Sequence, residues 1–462
     1  MALADENVRL QAENSELRAL VAQLQEQLVV ALARVAELEQ HRKDPPSFVK
    51  SNRPASNQPK QPRKKRASEH NRARRRELPT RIETHAFDRC LECNYRLDGH
   101  SLDYSRQVIE LPPPQPVEVV EHLVIKRFCP CCQAWRSPSL DLTGQVLGRG
   151  RIGVRIITLV AYLVTTLRVP IRRVQAYLLS LHQLTLSVGE ITELLHQVRR
   201  TLQPGIDDLK SQARASPILH ADETGWRENG QNGYIWAFST PGEDAVRYYE
   251  YDHSRGQAVV KRILGGEFTG HLVSDFYAGY NMYAGKHQRC WVHLLRTLHE
   301  LKQAQAGELG VVEWAEEVQT LYTAAQMWLE EHRQASPEER EAEYVALAAQ
   351  AHTLGLSYAR VKNHPCQALA KRLLRHEDEL FQFVLVDGLS ADNNLAERSI
   401  RPLVVIRKIS GGTRSLEGTK TRMGLASLFE TWQARHLNPF EECLKLLSHG
   451  APASPQTLLP QV

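Results

Sequence analysis

Along residues 3–38 apolar side chains return every seven positions, at Leu3, Leu10, Leu17, Leu24, Ala31 and Leu38. Asn7, Asn14, Val21, Leu28 and Val35 stand three places before the later members of that series. This is the a/d pattern of a coiled coil, and Asn at a favours a two-stranded, in-register pairing at some cost in stability. Glu13 at g faces Arg18 at e of a partner helix. The pattern predicts a leucine zipper over residues 1–40, and with it a homodimer or higher assembly. A long amphipathic helix packed on its own body is the alternative.

The helical period returns over 145–212. Ile171 to Leu181, a short turn, and Gly189 to Thr201 read as a helix-turn-helix-like pair, with Ser187 and Glu190 at capping-box spacing. Arg172, Arg173, Arg199 and Arg200 stand where such a pair meets DNA, and a plain helical bundle accounts for the pattern equally well. From Ile218 the period shortens. Pro217 to Asp222 and Gly270 to Asp275 each read as a strand ending in an acid. Gly233 to Ser239 and Ala245 to Tyr251 read as strands joined by a turn at Pro241-Gly242. Helices are predicted over Gln257 to Leu264 and 287–302, and a long helical stretch over 304–385. Ser336, Pro337 and Glu339 mark a helix start within it. A last helix is predicted from Ser390 to Arg401, ended by Pro402.

Charge changes the picture in one place. The chain of 462 residues carries a net +5, yet residues 41–80 alone carry +10, with thirteen basic residues against three acidic ones. The remainder is therefore −5. A Pro-, Ser- and Lys/Arg-rich stretch of this kind reads as a disordered linker. Lys64, Lys65, Arg66, Arg74, Arg75 and Arg76 are its candidate contacts to DNA phosphates, with mere solubilisation as the alternative. The acidic, polar N-terminus carries no signal-peptide pattern. The longest uncharged apolar run, Ile156 to Leu167, is too short to span a bilayer. These features predict a soluble cytoplasmic protein, associated with the nucleoid if it binds DNA, and they argue against a membrane partner. In a reducing compartment, clustered cysteines more often hold metal than form disulfides. Cys90, Cys93, Cys129 and Cys132 form two C-x-x-C pairs, the thiolate set of one structural Zn²⁺ in a finger over 81–140; two chance pairs of buried cysteines are the alternative. The β-like run Val117 to Phe128 is expected to bring the pairs together. Cys131 is then spare, and Cys290, Cys366 and Cys443 are expected in the core.

Three acids at strand ends and on a helix are, by spacing alone, a weak signal among 53 acidic residues. The surrounding segments are more specific. LHADETGW (219–226), NGYIWAF (232–238), SRG (254–256), SDFYAGY (274–280), CWVHLLR (290–296) and DNNLAERSIRPLVVIRK (392–408) resemble the transposases of the insertion-sequence 66 family. The resemblance covers most of the chain, including the order of zipper, basic linker, finger and helical segment. It implies a multidomain α/β protein. An RNase H-like catalytic domain would occupy 213–303 and 386–450, interrupted by a helical insertion over 304–385. It implies a DDE transposase whose catalytic acids fall on Asp222, Asp275 and Glu397. These would hold two Mg²⁺ (or Mn²⁺) ions for phosphoryl transfer on double-stranded DNA. Arg398, Arg401, Arg407 and Lys408 would contact DNA, although Arg398 and Arg401 have pairing with acids on the fold as an alternative. Cys290 and His293 match a C-x-x-H motif found near such sites, and a helix packing pair explains them equally. Small accessory proteins often act beside family members. The sequence departs from the family at Leu294-Leu295-Arg296, where more basic residues are common, and at Ile409-Ser410-Gly411-Gly412, where an aromatic segment is common. A nuclease that only hydrolyses and a dimeric zinc-finger regulator that does not cut are the competing functions.

Overall fold

The computed structural model describes residues 76–449, together with residues 15, 17, 18, 20–29, 32 and 33. The described residues of the heptad segment are helical and exposed. The rest of that segment lies outside the described residues, as do Lys64, Lys65, Arg66, Arg74 and Arg75 of the basic linker. The chain divides into two compact units, Met1–Glu110 and Leu111–Val462.

In the first unit, Cys90 opens a tight turn. Cys90 N–H donates to Tyr95 O and Asn94 N–H to Cys90 O, each at 2.9 Å. Arg76 is held within this unit, donating to the Ser105 hydroxyl at 2.5 Å and to Ser105 O at 3.1 Å. The second unit begins with a hairpin of the same design, β1 (Arg127–Cys129) against antiparallel β2 (Ala134–Arg136). The long strand expected over Val117 to Phe128 is not there. Only its last two residues enter β1, and residues 117–126 have no regular structure. Val117 is instead tied by its N–H to His182 O.

Four helices follow: α1 (Val154–Thr165), α2 (Ile171–His182), α3 (Val188–Thr201) and α4 (Gln203–Ala215). The capping box of α3 forms as its sequence requires. Ser187 Oγ accepts from Glu190 N at 3.0 Å, and Glu190 accepts from Ser187 N at 2.8 Å. Arg172 and Arg173 are exposed, but Arg199 and Arg200 pair with Glu417, and Arg200 also with Glu193. These two arginines are thus committed to the fold. The helices do not form a separate body: Ile157, Val174, Ile191 and Leu209 share one apolar core with Leu219, Trp236 and Phe238 of the sheet.

The sheet contains β3 (Ile218–Glu228), β4 (Gln231–Ser239), β5 (Arg247–Asp252), β6 (His271–Ser274) and β7 (His287–Arg289), in the spatial order β5-β4-β3-β6-β7. β3, β4 and β5 form an antiparallel meander, while β6 and β7 lie parallel to β3. Helix α5 (Gln257–Leu264) connects β5 to β6 and buries Val259, Val260 and Ile263 on one face. Two expectations change here. β3 does not end at Asp222 but continues six residues further, because β4 stays paired with it to Glu228. His287–Arg289 is a strand, and the helix expected there starts only at Trp291, because three residues suffice to pair with β6.

After β7 come α6 (Trp291–Ala304) and the long helical stretch α7 (Leu309–Glu331), α8 (Pro337–Ala359), α9 (Gln367–Leu380) and α10 (Gln382–Leu385). Ser336 and Glu339 form the expected capping box of α8, with Pro337 at its first position. This stretch packs its own core onto Ile218 and Val273 of the sheet. Gln288 of β7 welds the two, its amide donating to Leu380 O at 3.0 Å and its Oε1 accepting from Phe383 N at 3.0 Å. The chain then returns through α11 (Asn394–Ser410), α12 (Leu416–Ala434) and α13 (Pro439–His449). Pro402 does not end α11 as expected. It sits inside the helix, where its ring removes one backbone donor, while Ile400, Leu403 and Ile406 bury against Trp226, Ile235 and Tyr249 of the sheet. The stop comes at Gly411 and Gly412, both at positive φ. A Cβ at Gly412 would meet Arg227 O at 2.1 Å, so the departure from the aromatic segment closes α11 tightly against the end of β3. Among the described residues no helix is long and apolar enough to cross a membrane.

Trp291 is the keystone between sheet and helical stretch. Its indole N–H donates to Leu380 O at 2.6 Å, and its ring packs on Tyr322 and Phe381 at 5.2 and 5.3 Å. Trp291→Ala is expected to cost ~3–5 kcal/mol. Urea unfolding followed by circular dichroism measures this, and a loss below ~1 kcal/mol would show that the helical stretch docks by other contacts.

Candidate active site

Side chains alternate across β3, and the even-numbered ones face α11. His220 Nδ1 lies 3.2 Å from Asn393 Oδ1, and Asn393 Nδ2 donates to Ala221 O at 2.7 Å. Further along, Arg407 donates to Thr224 Oγ1 at 3.2 Å and also to Gly225 O. Helix α11 therefore runs alongside β3 from residue 220 to residue 225, with Asp222 between the two clamps and Glu397 one turn beyond Asn393. Asp275 is the residue after β6, the parallel neighbour of β3. The parallel pairing of β3 with β6 ends at His220 and Val273, so Asp222 emerges just past that point. Three acids from distant parts of the sequence thus reach one region.

Their electrostatics agree. Burial pushes the Asp222 carboxyl up to about 8, reinforced by the charges of Glu223, Asp275 and Glu397. Among the described residues, Glu397 presents a buried Oε1 with no hydrogen-bond partner, 3.7 Å from His293 Nε2, and His293 Nδ1 likewise lacks a partner. Asp222 Oδ1 accepts from Glu223 N at 2.9 Å, and Asp275 Oδ1 from Tyr277 N at 2.8 Å. Among the described residues no three His, Cys, Asp or Glu side chains stand close enough to hold a metal ion as they are. Like charges crowded in a low dielectric, with one oxygen orphaned, nonetheless suit a hard cation that takes oxygen ligands.

The sequence motifs also contain residues whose parts were not foreseen. Glu223, on the opposite face of β3, is buried. Arg255 grips its Oε1 at 3.0 Å through Nε and at 2.6 Å through Nη2, and the Tyr280 hydroxyl donates to its Oε2 at 2.6 Å. Burial raises the Glu223 carboxyl, while the Tyr280 and Arg255 bonds oppose the rise. Arg255 stacks on the Tyr277 ring at 4.0 Å. Segments SRG and DFYAGY thereby meet beside the acids, a use that their spacing in sequence does not reveal.

Behind Asp275 lies a buried ion-pair relay. Arg289 of β7 is fully buried. It donates to Asp275 O at 2.9 Å, to Asn281 Oδ1 at 2.6 Å and to Glu379 Oε2 of α9 at 2.5 Å. His376 Nδ1 lies 2.8 Å from the same Glu379 oxygen. Against the upward push of burial, His376 and Arg289 hold Glu379 down at about 2.

Of the remaining candidates, Cys290 is a buried helix cap whose sulfur accepts from Asn393 N at 3.2 Å, so it joins α6 to α11. Its partner in the motif, His293, faces Glu397. Arg398, Arg401 and Lys408 are exposed on α11, whereas Arg407 is turned onto β3. Cys366 and Cys443 are buried as expected. The two cysteine turns are built alike. Backbone N–H groups of Glu92 and Cys93 point at Cys90 sulfur and lower its thiol, and those of Cys131 and Cys132 do the same for Cys129. Asn94 and Gln133, four residues after each first cysteine, both take positive φ.

Residues 149–421 match the family described as Transposase IS66 family. Two proteins of Sinorhizobium fredii (strain NBRC 101917 / NGR234) are similar. The uncharacterized protein y4qI is 26% identical over 229 residues, 45% of this chain and 41% of that protein. The uncharacterized protein y4jO is 28% identical over 160 residues, 35% of this chain and 47% of that protein. The chain spans less than half the length of each of these relatives.

The buried strand β7 yields a pH test. Burial drives the His287 imidazole down to about 3. In the unfolded chain the imidazole binds its proton near pH 6.5. The unfolded state therefore holds the extra proton between these values, and the fold loses stability as pH falls from about 6.5 toward 3. Asp222, raised in the fold, acts in the opposite sense, so the useful comparison is with His287→Gln at each pH. The stability advantage of the wild type should shrink by up to ~1.4 kcal/mol per pH unit below 6.5. Denaturant titrations at pH 7, 6 and 5 measure it, and a constant difference would contradict a neutral His287.

Proposed function

From the membership of this chain in the IS66 transposase family, we propose that it is a DDE transposase that cleaves DNA at transposon ends and joins the 3′-hydroxyls to target DNA. The observation that carries this reading is the approach of Asp222, Asp275 and Glu397 to one region, near enough that the charges of the other two help burial push the Asp222 carboxyl up to about 8. The sheet supports an RNase H-like reading of the domain. In chain order its strands lie 3-2-1-4-5, with the second antiparallel to the first and the last two parallel to it. The first acid lies on the central strand, the second follows the strand beside it and the third lies on the covering helix.

Asp222, Asp275 and Glu397 would hold magnesium or manganese. When bound, two such ions activate the attacking hydroxyl and stabilise the leaving oxygen of an in-line displacement at phosphorus. The protein's own work is placement. Asn393 and Arg407 fix α11 along β3 and so fix Glu397 opposite Asp222. Arg289 fixes the backbone carbonyl of Asp275. His293, 3.7 Å from Glu397, orients that carboxylate. Arg398, Arg401 and Lys408, exposed on the same helix, offer cations to DNA phosphates and would hold the strand in register. Double-stranded DNA is the partner, and the zipper residues 1–40 would pair two chains so that two ends are held together.

The cysteine turns would hold one structural zinc through Cys90, Cys93, Cys129 and Cys132. Backbone N–H groups aimed at sulfur favour the thiolate, the form that binds metal.

Two tests follow from these assignments. Asp222→Ala, Asp275→Ala and Glu397→Ala should each lower Mg²⁺-dependent nicking of element-end DNA by orders of magnitude while leaving its gel shift nearly intact. Full nicking by any one variant removes that acid from the site. For zinc, Cys93→Ser should release the metal and Cys131→Ser should retain it, measured by atomic absorption on purified protein. Equal zinc in both variants would contradict the four-cysteine set.

A further inference from the structure

Helix α9 belongs to the helical stretch between the second and third acids, and it reaches the site at one point. Arg372 lies over the Phe276 ring, 4.9 Å from its centroid. Phe276 directly follows Asp275. The far side of the contact is braced, since His376, one turn beyond Arg372, meets the same ring edge-on at 5.5 Å. His376 in turn holds Glu379, and Glu379 holds Arg289, which grips the Asp275 carbonyl. At His376 the helix leaves helical geometry, with φ −122° and ψ 18°, which brings its side chain into this relay. The Asp275 loop and α9 are thus locked together by five residues, of which Arg289 and His376 are buried and Arg372, Phe276 and Glu379 half-buried.

Arg372 is also uncommitted. It is half-buried, yet among the described residues it has no hydrogen-bond acceptor and no carboxylate within ion-pair distance. Its opposite charge nearby is Asp275, and burial lowers its own basicity. A guanidinium that has lost part of its water without gaining an acceptor is poised for an anion that arrives later. Lys371 and Arg375, exposed on the same helix, leave the approach positive.

We propose that Arg372 binds the scissile phosphate beside Asp275, so that the helical stretch supplies a catalytic cation to the site in addition to its structural packing. This rests on the transposase reading of the three acids. The stacked Phe276 ring fixes the plane of the guanidinium, and the planar fork presents paired N–H donors to a phosphate. In the displacement, negative charge spreads over the non-bridging oxygens of that phosphate, where such a donor stabilises it. No bond is made or broken at Arg372 itself.

The test uses the full chain and duplexes carrying the ends of its own element. Arg372→Gln should slow cleavage at saturating DNA about a hundredfold, with the gel shift changed less than about threefold; Arg372→Lys should recover part of the rate. A second readout needs no metal. In EDTA, replacing the scissile phosphodiester by a neutral methylphosphonate removes the group that Arg372 recognises. The wild type should lose about threefold more affinity from that replacement than Arg372→Gln does, the most that the small change in its gel shift allows. Cleavage by Arg372→Gln within twofold of wild type overturns the proposal. So does a loss that vanishes at saturating DNA, or an equal methylphosphonate effect in both proteins. Asp275→Ala is run alongside. If it is inert while Arg372→Gln cuts normally, only this proposal fails; if Asp275→Ala itself cuts normally, the reading of the acids fails.

Discussion

Carboxylates do not gather unaided in a poorly solvated place, and here several are forced to do so. Asp222 shows the result, raised to about 8 by its own burial and by Glu223, Asp275 and Glu397. Every clamp around the site can be understood as opposition to that repulsion. Asn393 and Arg407 tie α11 to β3 on either side of Asp222. Arg255 and Tyr280 absorb the charge of Glu223 on the other face. Arg289 anchors Asp275 from below. Each clamp is a hydrogen bond or ion pair with at least one partner shielded from solvent, where leaving that partner unmet costs more than in water. The geometry of the acids is therefore a property of the frame around them more than of the acids themselves.

Much of this frame was legible in sequence, though not all for the same reason. Helices with caps were legible because capping is local. Ser187 with Glu190, and Ser336 with Pro337 and Glu339, specify their own boundaries. The motif segments pointed to Asp222, Asp275 and Glu397, and their approach to one region follows once β3 and α11 lie side by side. Boundaries set by distant partners were not legible. β3 outruns Asp222 because β4 continues beside it. His287–Arg289 is a strand because β6 offers an edge. Pro402 stays inside α11 because the apolar residues around it bury on the sheet, a tertiary gain that exceeds the local penalty of the proline. Arg199, Arg200 and Arg407 look like surface cations in the sequence, and only the fold reveals the carboxylates and carbonyls that engage them.

The helical stretch between β7 and α11 shows how a long segment coexists with a site that tolerates little displacement. Its own apolar core makes it self-supporting, and it touches the sheet through a few specific contacts at Gln288, Trp291 and Arg289. Those contacts sit on the side of β6 and β7, where Asp275 emerges, while α11 covers β3 and β4. The two halves of one sheet face are thus roofed by different parts of the chain, and the acids lie along the seam.

The two ends of that stretch meet. Trp291 N–H, at its entrance, donates to Ala391 O at its exit, and the neighbouring Cys290 sulfur accepts from Asn393 N. A segment stitched shut at its base behaves as a graft on the sheet. Its length can vary with little effect on what lies below the stitch, since closing a longer loop costs only a logarithmic increment of entropy. Evolution is thereby free to remodel the outer helices, lengthening or shortening them, while the spacing from Asp275 to Glu397 in space stays as the stitch sets it.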